Sequence, residues 1–373
     1  MIWILSIVST LHLIAVLFAA AAPCYALWLE CSASRRGDLI ADALGRQISR
    51  WAMLWLACGM VLGAIALGLL WLEGTTPYFR ALGIIPARRL WFALAELAVY
   101  LLGMAAYVRW WRTMPRPLHR FLAIFNAANL LYHFPPLFSA IAVASTRPEL
   151  WKSHLGYRQT LSLFGDPETL ARTLHVILAG FAIAGVVLMW LARRAMAADI
   201  TPAPDKAEGE APAAGQGTEP PAAAAAEEAA ARWLRRGAGA ALLFTGLEIP
   251  AGVLMLMALP PASRDRLLMG DWLSTGMLAA AVFFALGLMH TLTAAALGDR
   301  SRAVVRNAAV CLALVMFLMV AVRHRTRELL FEHFQSRGLT MELSPATAEP
   351  ANGGRGAMSP VPSRTYNLKD PQR

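Results

Sequence analysis

The sequence predicts an all-α fold: a polytopic transmembrane helical bundle of about eight spans. Three observations carry this reading. Hydrophobic residues make up 57% of the 373 and charged residues only 16%. The mean hydropathy is +0.49. Apolar runs of about 20 residues recur, the length that crosses roughly 30 Å of hydrocarbon.

Eight runs meet that length: Ile2–Leu29, Trp51–Leu72, Leu90–Val108, Phe121–Val143, Leu170–Ala192, Ala238–Leu259, Leu273–Leu297 and Val304–Val322. Backbone groups in hydrocarbon have no water to bond, so each run closes its hydrogen bonds internally as a helix. The first has no basic leader and no convincing cleavage site, and reads as a retained helix. The fourth should kink at Pro135-Pro136. In the sixth, Pro250 leaves a backbone carbonyl free close to Glu248. No internal repeat interrupts the series.

Between the fifth and sixth runs lies the one clear discontinuity. Thr201–Ala231 opens with Pro, Gly and acidic residues that cannot bury a core, while the Ala/Glu-rich Ala222–Arg236 could extend the sixth helix. The organisation expected is residues 1–195 with five spans, a cytoplasmic linker at 196–231, residues 232–322 with three spans, and 323–373 as an interfacial helix and disordered tail. Arg327–Phe334 suits an interfacial helix or a solvated continuation of the last span. From Pro345 onward no apolar period remains.

Lys and Arg are about twice as many in the connections after the first, third, fifth and seventh spans as in the others. The odd-numbered connections are therefore expected in the cytoplasm and the N-terminus outside. Eight spans return the tail to the outside, where Arg323-His324-Arg325-Thr326-Arg327 runs against the rule. The net charge of +10 belongs to helix ends and not to a soluble domain, so nucleic acid is not an expected partner. The lipid bilayer is. Cys24, Cys31, Cys58 and Cys311 form no Cys-x-x-Cys pair and no haem-attachment motif, and read as small packing residues.

Polar groups in hydrocarbon are costly and mark functional sites. His175 lies early in the fifth run and Met277 early in the seventh. With the N-terminus outside, both runs descend from the outer face, placing His175 at about 8 Å and Met277 at about 6 Å depth. An imidazole and a thioether facing each other would suit a low-spin haem b. His12 and His133 sit deeper, near the midplane, where a second haem could be held. Each histidine alone could equally bond a neighbouring helix, and each methionine could simply fill the core. Glu96 and Glu248 are embedded carboxylates suited to proton transfer. Asn126 and Asn129 read as interhelical hydrogen-bonding residues. His290, His119, His154, His324 and His333 fall at boundaries or in loops.

Two stretches resemble subunit I of cytochrome bd-type quinol oxidases: Ser9-Thr10-Leu11-His12 with the following Arg36-Gly37-Asp38 and Arg46-Gln47-Ile48-Ser49-Arg50-Trp51, and Leu170-Ala171-Arg172-Thr173-Leu174-His175-Val176-Ile177-Leu178-Ala179-Gly180. The resemblance implies a haem-ligating His12, a His175 on the low-spin haem b, Met277 as that haem's second ligand, and Glu96 in proton delivery. It also implies a quinol donor, a second membrane subunit and the bacterial cytoplasmic (inner) membrane. Thr275 stands where the family usually has Arg, and Arg88 where a second carboxylate would be. The sixth and seventh spans are joined only by Pro260–Trp272, without the family's long quinol-binding loop. The ninth helix and the Gly-Arg-Gln-Pro-Trp motif are not found. The resemblance is thus to a shortened, divergent relative.

The functional expectation is a membrane haem-b electron-transfer protein with one or two haems, passing electrons from quinol or a partner cytochrome. Its place in a quinol-linked oxidoreductase follows from the resemblance; oxygen reduction does not. Two alternatives belong to other classes: a haem-free structural or assembly subunit, and a proton-coupled transporter using the embedded His and Glu residues.

Overall fold

The computed structural model describes residues 2–74, 76–152, 155–197 and 221–336. Most of the expected linker and the tail beyond 336 lie outside the described residues. Eleven α-helices occur among the described residues: α1 Ile2–Arg36, α2 Leu39–Leu72, α3 Thr76–Ile84, α4 Ala87–Arg109, α5 Arg116–Ala144, α6 Tyr157–Phe164, α7 Pro167–Ala197, α8 Pro221–Ala258, α9 Pro261–Asp265, α10 Trp272–Ala296 and α11 Arg302–Ser336. Eight of them (α1, α2, α4, α5, α7, α8, α10 and α11) are long and apolar enough to cross a membrane. The chain is an all-α polytopic membrane protein.

Local chemistry sets the helix ends. After Arg36 the chain turns through Gly37, at φ +66°, a left-handed conformation that glycine adopts without steric cost. Asp38 then caps α2 by accepting from the Ala41 backbone N–H at 3.0 Å. Asp271 caps α10 through both the backbone N–H (3.2 Å) and the hydroxyl (2.6 Å) of Ser274. The Ala/Glu-rich stretch belongs to α8, which starts at Pro221, and α11 continues the eighth span without a break to Ser336.

Helix α1 sits centrally, packed against α2, α5, α7 and α11. The tightest pairing is α7 with α8. There a Cβ on Gly185 would lie 2.8 Å from the Ala241 backbone nitrogen, and one on Gly237 2.9 Å from that of Met189. Two backbones this close exclude any side chain, the packing device of helices that associate in lipid.

Pro23 inside α1 removes the N–H that would bond the carbonyl four residues earlier, that of Ala19. The Tyr100 hydroxyl of α4 donates to this Ala19 oxygen at 2.6 Å and is fully buried. Tyr100→Phe should therefore leave a buried carbonyl unpaired and lower stability by about 1 kcal/mol. Thermal denaturation in detergent measures this, and an unchanged midpoint would show that Ala19 has another donor.

Exposed tryptophans form two belts, as amphipathic rings do at membrane interfaces. Trp3, Trp71, Trp91 and Trp272 ring one end of the bundle, and Trp28 and Trp110 the other. The basic run of α11 lies at the first of these ends and has protein partners there. Arg325 contacts Asp271 (3.5 Å) and Glu328 (2.9 Å), and Arg327 lies over the Tyr78 ring at 5.6 Å. These side chains answer to the protein around them, which accounts for the local departure from the charge rule.

Candidate functional site

Of the histidines in the spanning helices, His12, His133 and His175 lie well inside the bundle, and each turns Nδ1 toward an oxygen on a neighbouring span. His12 Nδ1 lies 2.7 Å from the Gly59 carbonyl oxygen on α2. A carbonyl can only accept, so Nδ1 carries the proton and Nε2 keeps its lone pair. The space for this ring comes from Gly63, where a Cβ would stand 2.8 Å from His12 Cε1.

His133 on α5 bonds through Nδ1 to Glu96 Oε2 on α4. Beside it the Asn129 amide donates to the Glu96 backbone oxygen at 2.7 Å. His133 Nε2 is buried with no hydrogen-bond partner. His175 on α7 has Nδ1 2.5 Å from Glu248 Oε2 on α8, an ion-pair contact whose angles fall outside hydrogen-bond geometry; Glu248 Oε1 is buried and unpartnered. The two embedded carboxylates are thus each matched to an imidazole on the next span.

Measured from the helix ends at 1.5 Å per residue, His12, Glu96 and His175 lie about 15, 14 and 12 Å below the same face. The three imidazoles occupy a common band of depth. Met277 is placed differently. It is buried in an apolar cluster with Leu267, Ala321 and Val322, against Leu273, Leu278 and Leu318. Helix α8 packs against both α7, which carries His175, and α10, which carries Met277.

Among the described residues no group of three or more His, Cys, Asp or Glu side chains could hold a metal ion. A bare ion such as zinc needs three or four protein ligands. A lone imidazole can instead serve a metal whose remaining ligands come from a macrocycle. Ligating histidines typically give their second nitrogen to a carboxylate or backbone carbonyl, which fixes the ring and leaves the first nitrogen available. His12 and His133 show that arrangement, His175 has Glu248 beside its Nδ1 without a hydrogen bond, and the orphaned Nε2 of His133 is an unsatisfied donor atom of the right kind. The residues present therefore fit a haem. The four cysteines are free.

Two polar networks escaped the sequence reading. At the odd-connection end His119, placed above at a boundary, is buried. Its Nδ1 lies 2.9 Å from Glu30 Oε2 and its Nε2 2.8 Å from the Tyr107 backbone oxygen. The Tyr107 hydroxyl donates to the same Glu30 oxygen at 2.8 Å. Both ring nitrogens face oxygens, so the Glu30–His119 pair shares an extra proton. No spacing signals this, because Glu30 is 89 residues away in sequence.

The second network anchors the helix that carries His175. Asp166 accepts from the backbone N–H groups of Glu168 (3.0 Å) and Thr169 (3.4 Å), and from Arg147 at 2.7 and 3.1 Å. Glu168 accepts from Arg172 at 2.8 Å. The run Asp166-Pro167-Glu168 is a readable signal for a helix start: a capping Asp, then Pro at the first helical position. Burial alone would raise the Asp166 carboxyl, but Arg147 and the two backbone N–H groups hold it below its ordinary value. A carboxylate so depressed stabilises the fold above about pH 4. That contribution is lost as pH falls through the lower, folded-state value. Asp166→Asn should thus lower the melting midpoint at pH 7 and leave less loss on acidification than in the wild type. Parallel pH profiles for the two proteins would contradict this.

No protein-family model and no curated protein sequence matches the chain. Among solved structures, the fold is similar to that of a chain of the bd oxidase from Geobacillus thermodenitrificans. The TM-score is 0.55 at 14% identity, over 87% of this chain and 84% of that one. At this identity the likeness is one of fold: a related arrangement of membrane helices.

Proposed function

We propose that the protein is a membrane haem-b electron-transfer subunit of a bd-oxidase-like respiratory assembly in a bacterial cytoplasmic membrane. The observation that carries this reading is the posture of His12 and His133, each with Nδ1 hydrogen-bonded to a neighbouring span, with His175 against Glu248 and all three in one band of depth inside a bundle similar in fold to a bd oxidase chain. His175 is the nitrogen donor to one haem; Met277, the sulfur donor assigned opposite it, packs among leucines and reaches an iron beside His175 only by leaving them. His12, with His133, serves a second haem at a similar depth. Bound haem supplies one-electron chemistry.

The chain's own groups do the rest. Gly59 fixes the tautomer of His12. Glu248, in contact with His175 Nδ1, restricts the rotation of the ring. Glu96 and His133 hold a proton between them that can move when the local charge changes. The apolar wall excludes water and keeps those charge effects strong. Electrons enter from quinol or a partner cytochrome. The connection from α8 to α10, residues 259–271, is too short for a large quinol-binding loop, which favours a donor bound with help from a second membrane subunit.

The test is the reduced-minus-oxidised spectrum of the purified protein, beside His12→Ala. A Soret band and α-band of b-type haem, reduced in amplitude by the substitution, are expected. Protein that is folded, inserted and free of haem would overturn the reading. The two His–Glu pairs would then point to a proton relay in a transporter or a cofactor-free assembly subunit.

A further inference from the structure

The C-terminal end of α7 and the N-terminal end of α11 enclose a groove of about 550 Å³. Four arginines line it: Arg193 and Arg194 from α7, Arg302 and Arg306 from α11. Nearby carboxylates are engaged elsewhere. Glu228 pairs with Arg235 (3.2 Å) and Arg300 (2.9 Å), and Asp299 accepts from the Ser301 backbone N–H at 2.8 Å. None of the four has an ion-pair partner among the described residues, and Arg193 Nε is buried without any partner. Four like charges facing one space repel, so the groove is electrostatically incomplete.

Its shape narrows the missing ligand. Trp190 forms part of the wall, its ring centroid 4.8 Å from the Arg194 guanidinium carbon and 5.1 Å from that of Trp51, the two indoles tilted at 46°. Such rings mark the level of lipid headgroups. Below the arginines the groove continues along α11 past Val310 to Ala313, about 16 Å from Arg302 at 1.5 Å per residue. Small and apolar side chains face that lower part, and Val310 is half exposed. A charged head with at least one hydrocarbon tail matches both halves; a free anion would match only the upper one.

We propose that this groove is a binding site for an anionic phospholipid, its phosphate held by Arg193, Arg194, Arg302 and Arg306 and an acyl chain laid along α11. Guanidinium groups bind phosphate oxygens in paired hydrogen bonds, and basic pockets between spans at the cytoplasmic face suit such headgroups. The site is at the end carrying the odd-numbered connections, far along α7 from His175, and does not depend on haem.

The experiment uses the full chain purified in a neutral detergent. It is offered dioleoylphosphatidylcholine vesicles with or without dioleoylphosphatidylglycerol, or inorganic phosphate alone. Native mass spectrometry should show retained phosphatidylglycerol in preference to phosphatidylcholine, and phosphatidylglycerol should raise the melting midpoint. The double variant Arg302→Gln/Arg306→Gln should lose that preference by roughly tenfold or more, while Arg35→Gln/Arg36→Gln, with the same charge loss outside the groove, should keep it. A photoactivatable phosphatidylglycerol should label residues 190–197 and 302–313 of the wild type, which decides the matter even if a variant fails to fold. Equal retention of both lipids, equal loss in the two variants, or labelling elsewhere would overturn the proposal. An equal midpoint shift with inorganic phosphate would also overturn it, making the groove a soluble-anion site.

Discussion

Replacing His175 by Ala is expected to remove the low-spin haem signal while leaving the bundle folded. The imidazole is only partly buried and its one close polar contact is Glu248, so its loss costs little packing. What disappears is the nitrogen proposed to hold the iron. The remaining signal should belong to the haem held by His12 alone. Glu248→Gln is the graded counterpart: the ligand stays, but the group that orients it is weakened, and losses of outer partners typically cost 10–100-fold in metal affinity. Haem per mole of protein and the amplitude of the reduced-minus-oxidised spectrum measure both variants. Unchanged haem in His175→Ala would move the assignment to another residue.

The second large effect is steric. Gly63 has its α-hydrogens against His12, and a Cβ there would stand 2.8 Å from Cε1 and 2.9 Å from Nδ1 of the ring. Gly63→Leu should push the imidazole away from the Gly59 carbonyl and wedge α1 from α2. Overpacking of this kind costs about 1–3 kcal/mol, and a displaced His12 would also leave the Gly59 oxygen unpaired. Gly68 lies on the same helix with nothing within 4 Å of its would-be Cβ, so Gly68→Ala is the matched control and should be neutral. Thermal melting and haem content read out both. A Gly63→Leu protein with wild-type stability and haem would show that His12 is not held as described.

The spans were legible because their signal is one-dimensional: about 20 apolar residues must lie in a row, and α8, α10 and α11 appear where that rule put them. The embedded polar residues were legible for the same reason, since His12, His133, His175, Glu96 and Glu248 interrupt apolar runs. Their pairing was not. Whether Glu248 meets His175 or lipid depends on the rotation of α8 about its own axis, and that is set by the Gly185–Gly237 contact some way along the helix. From sequence Glu248 reads as an embedded carboxylate suited to proton transfer, and the contact with His175 comes from packing alone. His119 was hidden differently: it sits between Pro115 and Arg120 in the basic first turn of α5, and only the packing of α1 against α5 buries it against Glu30. The expected approach of Met277 to His175 rested on depth alone; α10 turns Met277 into leucines shared with α11.

The proposed function requires an imidazole Nε2 within the membrane to be a haem-iron ligand. Electron-nuclear double resonance on the oxidised protein, grown with ¹⁵N-histidine, tests it most directly. Strong ¹⁵N coupling at a low-spin ferric haem, lost for one haem in His175→Ala, is the expected result. A haem whose iron shows no histidine nitrogen, or no haem at all in folded protein, would contradict it.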